Sequence, residues 1–124
     1  MTCRQPLIVV VEDDEDVNRA IESMLSAAGF ATSMHLSAES VLRSGVPAAT
    51  ACLVLDVHLP GISGFELHDC LVSITPRPPV IFMTAHDEPA ARARSQRAGA
   101  AAYLVKPFDG KVLTGTSRRV SQGA

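Results

Sequence analysis

The sequence predicts an α/β sandwich in which five β–α units wind around a parallel sheet. Three observations point to it. Short apolar runs, such as LIVVV at 7–11, read as strands covered on both faces. Segments of helical period separate them, and strands alternating with helices imply parallel pairing through right-handed crossovers. The chain of 124 residues is the length of one domain, roughly half of what a closed eight-unit barrel needs.

The first strand, at 7–11, lies between Pro6 and an acidic run. From Val17 the period changes. Val17, Ala20, Ile21, Met24, Leu25 and Ala28 fall on one helical face, and Gly29 stands where a C-cap belongs. Residues 30–35 form a short strand. Ser37 is an N-cap for a short helix carrying Val41 and Leu42, ended by Gly45-Val46-Pro47. The run at 51–55 is a buried strand that stops at Asp56. Ser63 and Glu66 have capping-box spacing and open a helix with Leu67, Cys70, Leu71 and Ile74 inward, closed by Pro76. Another buried strand fills 79–84. Residues 88–98 are helical in composition, with Pro89 near the start and Gly99 after the end. The last strand covers 102–106, and a final helix covers 109–120. Five such units suit a flavodoxin-like (βα)5 three-layer sandwich with a parallel five-stranded sheet of order 2-1-3-4-5; that order comes from the fold type rather than from the pattern. One domain over 5–120 is expected.

Composition removes several function classes. The chain has 11 Lys+Arg against 13 Asp+Glu, a net charge of -2, and so no electrostatic reason to bind nucleic acid or an anionic membrane surface. No apolar run nears the ~20 residues of a membrane helix, and the N-terminus enters a strand without a signal peptide. Cys3, Cys52 and Cys70 are an odd number with no CxxC spacing. They argue for a reduced, cytoplasmic protein and against a disulfide scaffold or zinc site.

Sites in open α/β sheets form beyond the carboxyl ends of the strands. Glu12, Asp13 and Asp14 follow the first strand, Asp56 the third, Thr84 the fourth and Lys106 the fifth. In the expected order, the first and third strands are neighbours, so Glu12, Asp13 and Asp56 converge, flanked by Thr84 and Lys106. Carboxylates sharing a small site need a cation. Mg²⁺, which takes oxygen ligands and is held by one or two carboxylates plus phosphate, suits them. The pieces suggest phosphoryl chemistry with a carboxylate nucleophile. Each residue also has a plainer reading. Asp14, Glu15 and Asp16 are taken as a dipole-favoured helix start; Asp56 alone reads equally as a cap, Thr84 as a strand end and Lys106 as a surface lysine. The conjunction at four strand ends favours the site.

These residues resemble the receiver domain of two-component response regulators, over about Leu7 to Phe108. The resemblance rests on Val11-Glu12-Asp13-Asp14, on Leu55-Asp56-Val57-His58-Leu59-Pro60-Gly61-Ile62-Ser63-Gly64, on Met83-Thr84-Ala85-His86 and on Lys106-Pro107-Phe108. His35-Leu36-Ser37-Ala38-Glu39-Ser40 and Gly99-Ala100-Ala101-Ala102-Tyr103-Leu104 further resemble receivers of the nitrogen-fixation regulator (FixJ) type. The resemblance implies that Asp56 is the phospho-acceptor, taking a phosphoryl group from the phosphohistidine of a sensor histidine kinase or phosphotransfer protein. Asp13 is then the direct Mg²⁺ ligand, with Glu12, Asp56 and the backbone carbonyl of His58 completing the set. Thr84 becomes the switch hydroxyl, Lys106 the phosphate-binding lysine and Tyr103 the aromatic that turns inward with Thr84. The Lys106–Pro107 bond is typically cis in this family. In the family the positions of His58 and His86, two residues beyond Asp56 and Thr84, border the phosphoryl group and tune hydrolysis; a pH-sensitive phosphoryl lifetime is one reading of two histidines there, and two surface loop histidines the other.

The helix over 88–98 has only alanines, Ala90, Ala91, Ala93 and Ala98, as apolar residues. Alanine buries little area, so this helix, its preceding loop and the strand after it are the expected switch surface, and Arg92, Arg94 and Arg97 give it a basic exposed face. The last helix carries Gly110, Thr114, Gly115, Thr116 and Ser117, all of low helix propensity, with Val112, Leu113, Thr116 and Val120 as a partial stripe. Family dimers often use that helix, which leaves a weak homodimer open. Few residues follow Phe108-Asp109, so no output domain is expected in this chain, and the effector is either a downstream protein target or an output domain on a longer regulator. The alternatives are a pseudo-receiver that binds partners without phosphorylation and an aspartyl-nucleophile phosphohydrolase. The latter typically has a second Asp where His58 stands.

Overall fold

A computed structural model describes residues 5–73 and 77–122. Ten elements alternate along the chain: β1 (Leu7–Val11), α1 (Glu15–Ala27), β2 (Ala31–His35), α2 (Ala38–Ser44), β3 (Thr50–Asp56), α3 (Gly64–Leu71), β4 (Val80–Thr84), α4 (Pro89–Arg97), β5 (Ala102–Val105) and α5 (Gly110–Gln122). The five strands form one parallel sheet of order β2-β1-β3-β4-β5. The expected fold class and strand order are therefore present.

Alternation along each strand sends neighbouring side chains to opposite faces and makes two apolar layers. Val9, Val11, Leu53, Leu55 and Phe82 pack with α2 and α3 through Ala38, Val41, Phe65, Leu67 and Leu71, with Ala91 of α4 and its C-cap Ala98 at the margin. Ile8, Val10, Cys52, Val54, Ile81 and Met83 pack with α1 and α5 through Ile21, Leu25 and Leu113. Burial pushes the Cys52 thiol up to about 12, so it behaves as a small apolar side chain.

Local chemistry sets the ends of the elements. The Asp14 carboxylate caps α1 by accepting from the Asp16 and Val17 amides at 2.9 and 3.2 Å. Ser63 and Glu66 close the expected capping box on α3, and Ser37 caps α2. The helix α4 starts at Pro89, and Glu88 at its N-cap position makes no side-chain cap.

Several inward positions differ from the periodicity. On α3 the buried row is Gly64, Leu67, His68 and Leu71, while Cys70 faces solvent. The i, i+3, i+4, i+7 set admits His68 because its ring packs edge-on against Phe82, with centroids 5.6 Å apart. On α1 Ala20 is exposed and Asn18 is buried. Its amide donates to the carbonyls of Glu12 and His35 at 3.1 Å each, tying together the ends of β1 and β2. On α5 Val112 is exposed and Ser117 takes the inward place after Leu113. The helix is held in addition by Arg118, which donates to the Ala28 carbonyl at 2.9 Å. Ile74, Pro76 and Cys3 lie outside the described residues. Among the described residues, no helix is long and apolar enough to cross a membrane.

Candidate functional site

The carboxyl edge of the sheet gathers the residues that the sequence singles out. Because β1 and β3 are adjacent, Glu12 just beyond β1 and Asp56 at the end of β3 lie side by side, both buried. Asp13 is the exposed member of the group. One carboxylate oxygen from each of Glu12, Asp13 and Asp56 lies within 4.8 Å of the others. Partial desolvation of the Asp13 carboxyl, and then the hydrogen bond and charge of Glu12, push it above the ordinary 3.8.

Lys106 follows β5, where its backbone N–H donates to the Thr84 carbonyl at 2.7 Å. Its side chain reaches back across the sheet edge. The ammonium donates to Asp56 Oδ2 at 2.7 Å and also to Glu12 Oε1. Burial works against the charged amine, but the bonds to Asp56 and Glu12 outweigh it and hold Lys106 above the ordinary 10.5. The bond between Lys106 and Pro107 is cis, as expected.

The other Asp56 oxygen is also fixed, since Oδ1 accepts from the His58 N–H at 3.0 Å. The loop that supplies this donor depends on a close approach. A Cβ at Gly64 would stand 2.1 Å from the Asp56 carbonyl oxygen, so only glycine lets α3 begin there, where its amide donates to the Val57 carbonyl at 3.1 Å. Gly61, at φ +77, supplies the turn before it.

Thr84 is fully buried at the end of β4. Its hydroxyl donates to the His86 carbonyl at 3.1 Å and accepts from the His86 N–H at 3.0 Å. The rings of His58 and His86, both exposed, meet edge-on with centroids 5.5 Å apart. Tyr103 on β5 is half-buried, and its hydroxyl is buried with no hydrogen-bond partner among the described residues.

The structure thus joins Glu12, Asp13, Asp56 and Lys106 in one contact cluster. Thr84, His58 and His86 line the two loops that follow Asp56 and Thr84, and Tyr103 lies on the strand next to Thr84. Asn18, which braces the carbonyl of Glu12, is a contributor that the sequence reading missed. An amide one position off an apolar helical stripe was its only signal.

Comparison with known proteins agrees with this geometry. Residues 8–117 match the family described as the response regulator receiver domain. The chain is 37% identical over 109 residues to the transcriptional regulatory protein FixJ of Azorhizobium caulinodans, covering 88% of this chain and 52% of that protein. It is 36% identical over 102 residues to nodulation protein W of Bradyrhizobium diazoefficiens, covering 82% of this chain and 45% of that protein. The chain therefore spans about half the length of these relatives. Among solved structures it is similar to a response regulator receiver protein from Burkholderia phymatum, with 38% identity, TM-score 0.80, and 94% and 95% of the two chains covered. It is also similar to the non-phosphorylated HemR receiver domain from Leptospira biflexa, with 29% identity, TM-score 0.87 and 95% of both chains covered. The chain belongs to the response regulator receiver domain family of two-component systems.

Proposed function

We propose that this protein is a phospho-acceptor of a two-component phosphorelay and that Asp56 carries the phosphoryl group. The observation that supports this most is the convergence of one buried carboxylate, Asp56, with two further acids and a lysine whose ammonium touches both Asp56 and Glu12.

Each side chain has a distinct task in this reading. An Asp56 carboxylate oxygen forms the new O–P bond as the P–N bond to the partner's phosphohistidine breaks, and the freed imidazole of the partner keeps its ring proton. The His58 N–H and the Lys106 ammonium hold the carboxylate in place before attack. Lys106 then neutralises charge on the transferring group. Thr84 must release His86 before its hydroxyl can serve a phosphoryl oxygen. His58 and His86 border the group and set how readily water reaches it. Three hard oxygen donors of net negative charge are a donor set that fits Mg²⁺; Glu12, Asp13, Asp56 and the His58 carbonyl would hold it. When bound, the ion supplies charge neutralisation at the phosphoryl group.

The output is a change in the α4–β5 surface, with Tyr103 following Thr84. We read the chain as a single receiver domain and a signalling module rather than a turnover enzyme. It would act in the cytoplasm, receive phosphate from a sensor histidine kinase or phosphotransfer protein, and signal to a protein target or an output domain without touching nucleic acid or membrane itself.

Acetyl phosphate with Mg²⁺ should give a phosphate-sized mass gain that Asp56→Asn abolishes. No gain in the wild-type protein, with Mg²⁺ binding verified, contradicts the proposal and favours an unphosphorylated interaction module.

A further inference from the structure

The loop between β4 and α4 is fastened at both ends by side chains, and the fastening at the α4 end lies over Tyr103. At the β4 end the Thr84 hydroxyl makes both of its hydrogen bonds to the backbone of His86. At the α4 end, Asp87, the next residue, accepts from Arg92 Nε at 2.7 Å and from Arg92 Nη2 at 2.8 Å. This forked pairing fixes direction as well as distance. The same guanidinium lies 5.0 Å from the centroid of the Tyr103 ring. Asp87 is also close enough to Tyr103 that, after burial, its charge raises the phenol above the ordinary 10.0.

We propose that Asp87 and Arg92 are positioning residues that carry the state of the Thr84 hydroxyl to Tyr103 and α4. While Thr84 holds His86, Asp87 is fixed beside it, Arg92 is fixed by Asp87, and the guanidinium lies over Tyr103. When the hydroxyl leaves for another acceptor, both bonds to His86 are lost together and Asp87 loses its anchor. The strap over Tyr103 then opens and α4 is free to shift. The inference builds on the reading of Thr84 as the hydroxyl that turns to a phosphoryl oxygen, but its links can be tested without any phosphate.

The chain contains one Tyr and no Trp, so intrinsic emission reports Tyr103 alone. Acrylamide quenching of that emission in the resting full chain measures how well the strap covers the ring. Arg92→Ala should raise the quenching constant about two- to fivefold, the population shift that an exposed cation–π contact supports. Arg92→Lys should not restore protection, because an ammonium cannot make the fork. Thr84→Ala should raise quenching as Asp87→Ala does, Thr84→Ser should match wild type, and the Thr84→Ala/Asp87→Ala double variant should be no more quenched than either single one. Wild-type quenching in Arg92→Ala, or additive effects of Thr84→Ala and Asp87→Ala, would overturn the relay. A protein that takes phosphate on Asp56 yet shows those results loses the relay alone; a protein that takes none but shows the expected quenching loses the acceptor reading alone.

Discussion

Helices α3 and α4 lie on the same face of the sheet, yet different forces hold them. Gly64, Phe65, Leu67, His68 and Leu71 of α3 are buried, and a complete capping box starts the helix. In α4 only Ser95 is buried, Ala91 and Ala98 touch the core from its margin, and no side chain caps the first turn. What attaches α4 instead is arginine on aromatic. Arg92 lies over Tyr103 of β5 at 5.0 Å, and Arg94 lies over Phe65 of α3 at 4.9 Å. Apolar burial is non-directional and holds an element wherever it fits, whereas exposed ion pairs and cation–π contacts are weak and directional. The site follows the same division: the helix behind Asp56 is locked, and the helix behind Thr84 is fastened by contacts that open at low cost.

Changes on each side would break or sharpen this contrast. The largest effect belongs to the locked side. Lys106→Met leaves Asp56 and Glu12 adjacent, buried and without their cation, which should cost about 3–5 kcal/mol in urea unfolding without divalent ions. Added Mg²⁺ should recover part of the loss, and a Lys106→Met protein as stable as wild type without Mg²⁺ would contradict the electrostatics. Next, Leu67→Ala on α3 should cost about 2–5 kcal/mol, whereas Ala91→Gly on α4 should cost about 1 kcal/mol or less; equal losses would erase the distinction. Caps should follow the same pattern. Ser63→Ala should cost about 1 kcal/mol, and Glu88→Ala, which removes no hydrogen bond, should stay within about 0.5 kcal/mol of wild type.

The smallest effect is a pH dependence. Burial, ahead of the neighbouring charges, holds His68 below the ordinary 6.5, and burial does the same to His35. A histidine depressed in the fold takes up its proton in the unfolded chain first, so its contribution is whole above pH 6.5 and is lost as pH falls below it. Stability should therefore decline from pH 6.5 downward, and His68→Leu should flatten the decline without removing it. An unchanged slope in urea midpoints between pH 7 and 5 would show that His68 is not buried as described. Lys106 acts at the other end: its value is raised, so its contribution holds below pH 10.5 and fades above it.

Much of this architecture was legible because strands and helices announce themselves through local period. LIVVV at 7–11, the stripe from Val17 to Leu25 and the Ser63–Glu66 spacing each depend on neighbours within a few residues. The site was legible for a related reason, since each candidate ended an apolar run and strand ends meet at one edge in this topology. What the pattern hid were polar residues on inward faces and contacts between distant segments. Asn18 is buried because two carbonyls from β1 and β2 need its amide, and His68 because Phe82 offers a ring edge. Neither partner can be read from the helix alone. The same holds for Cys70 and Ala20, apolar by type but turned outward by a one-residue offset of the helical face. Arg92, Arg94 and Arg97 read as a uniform basic face, and only the fold shows that Arg92 and Arg94 have aromatic partners.

Hydrogen exchange resolved by segment, before and after treatment with Mg²⁺ and acetyl phosphate, tests most directly whether the Asp56 side is rigid and the α4 side is the part that moves. In the resting protein, α4 and the loop at 85–88 should exchange well ahead of β1, β3 and α3. After treatment the change should concentrate in 85–105 and leave β1 and β3 as they were. Protection of α4 equal to that of the central strands, or a change centred on α3, would contradict the account.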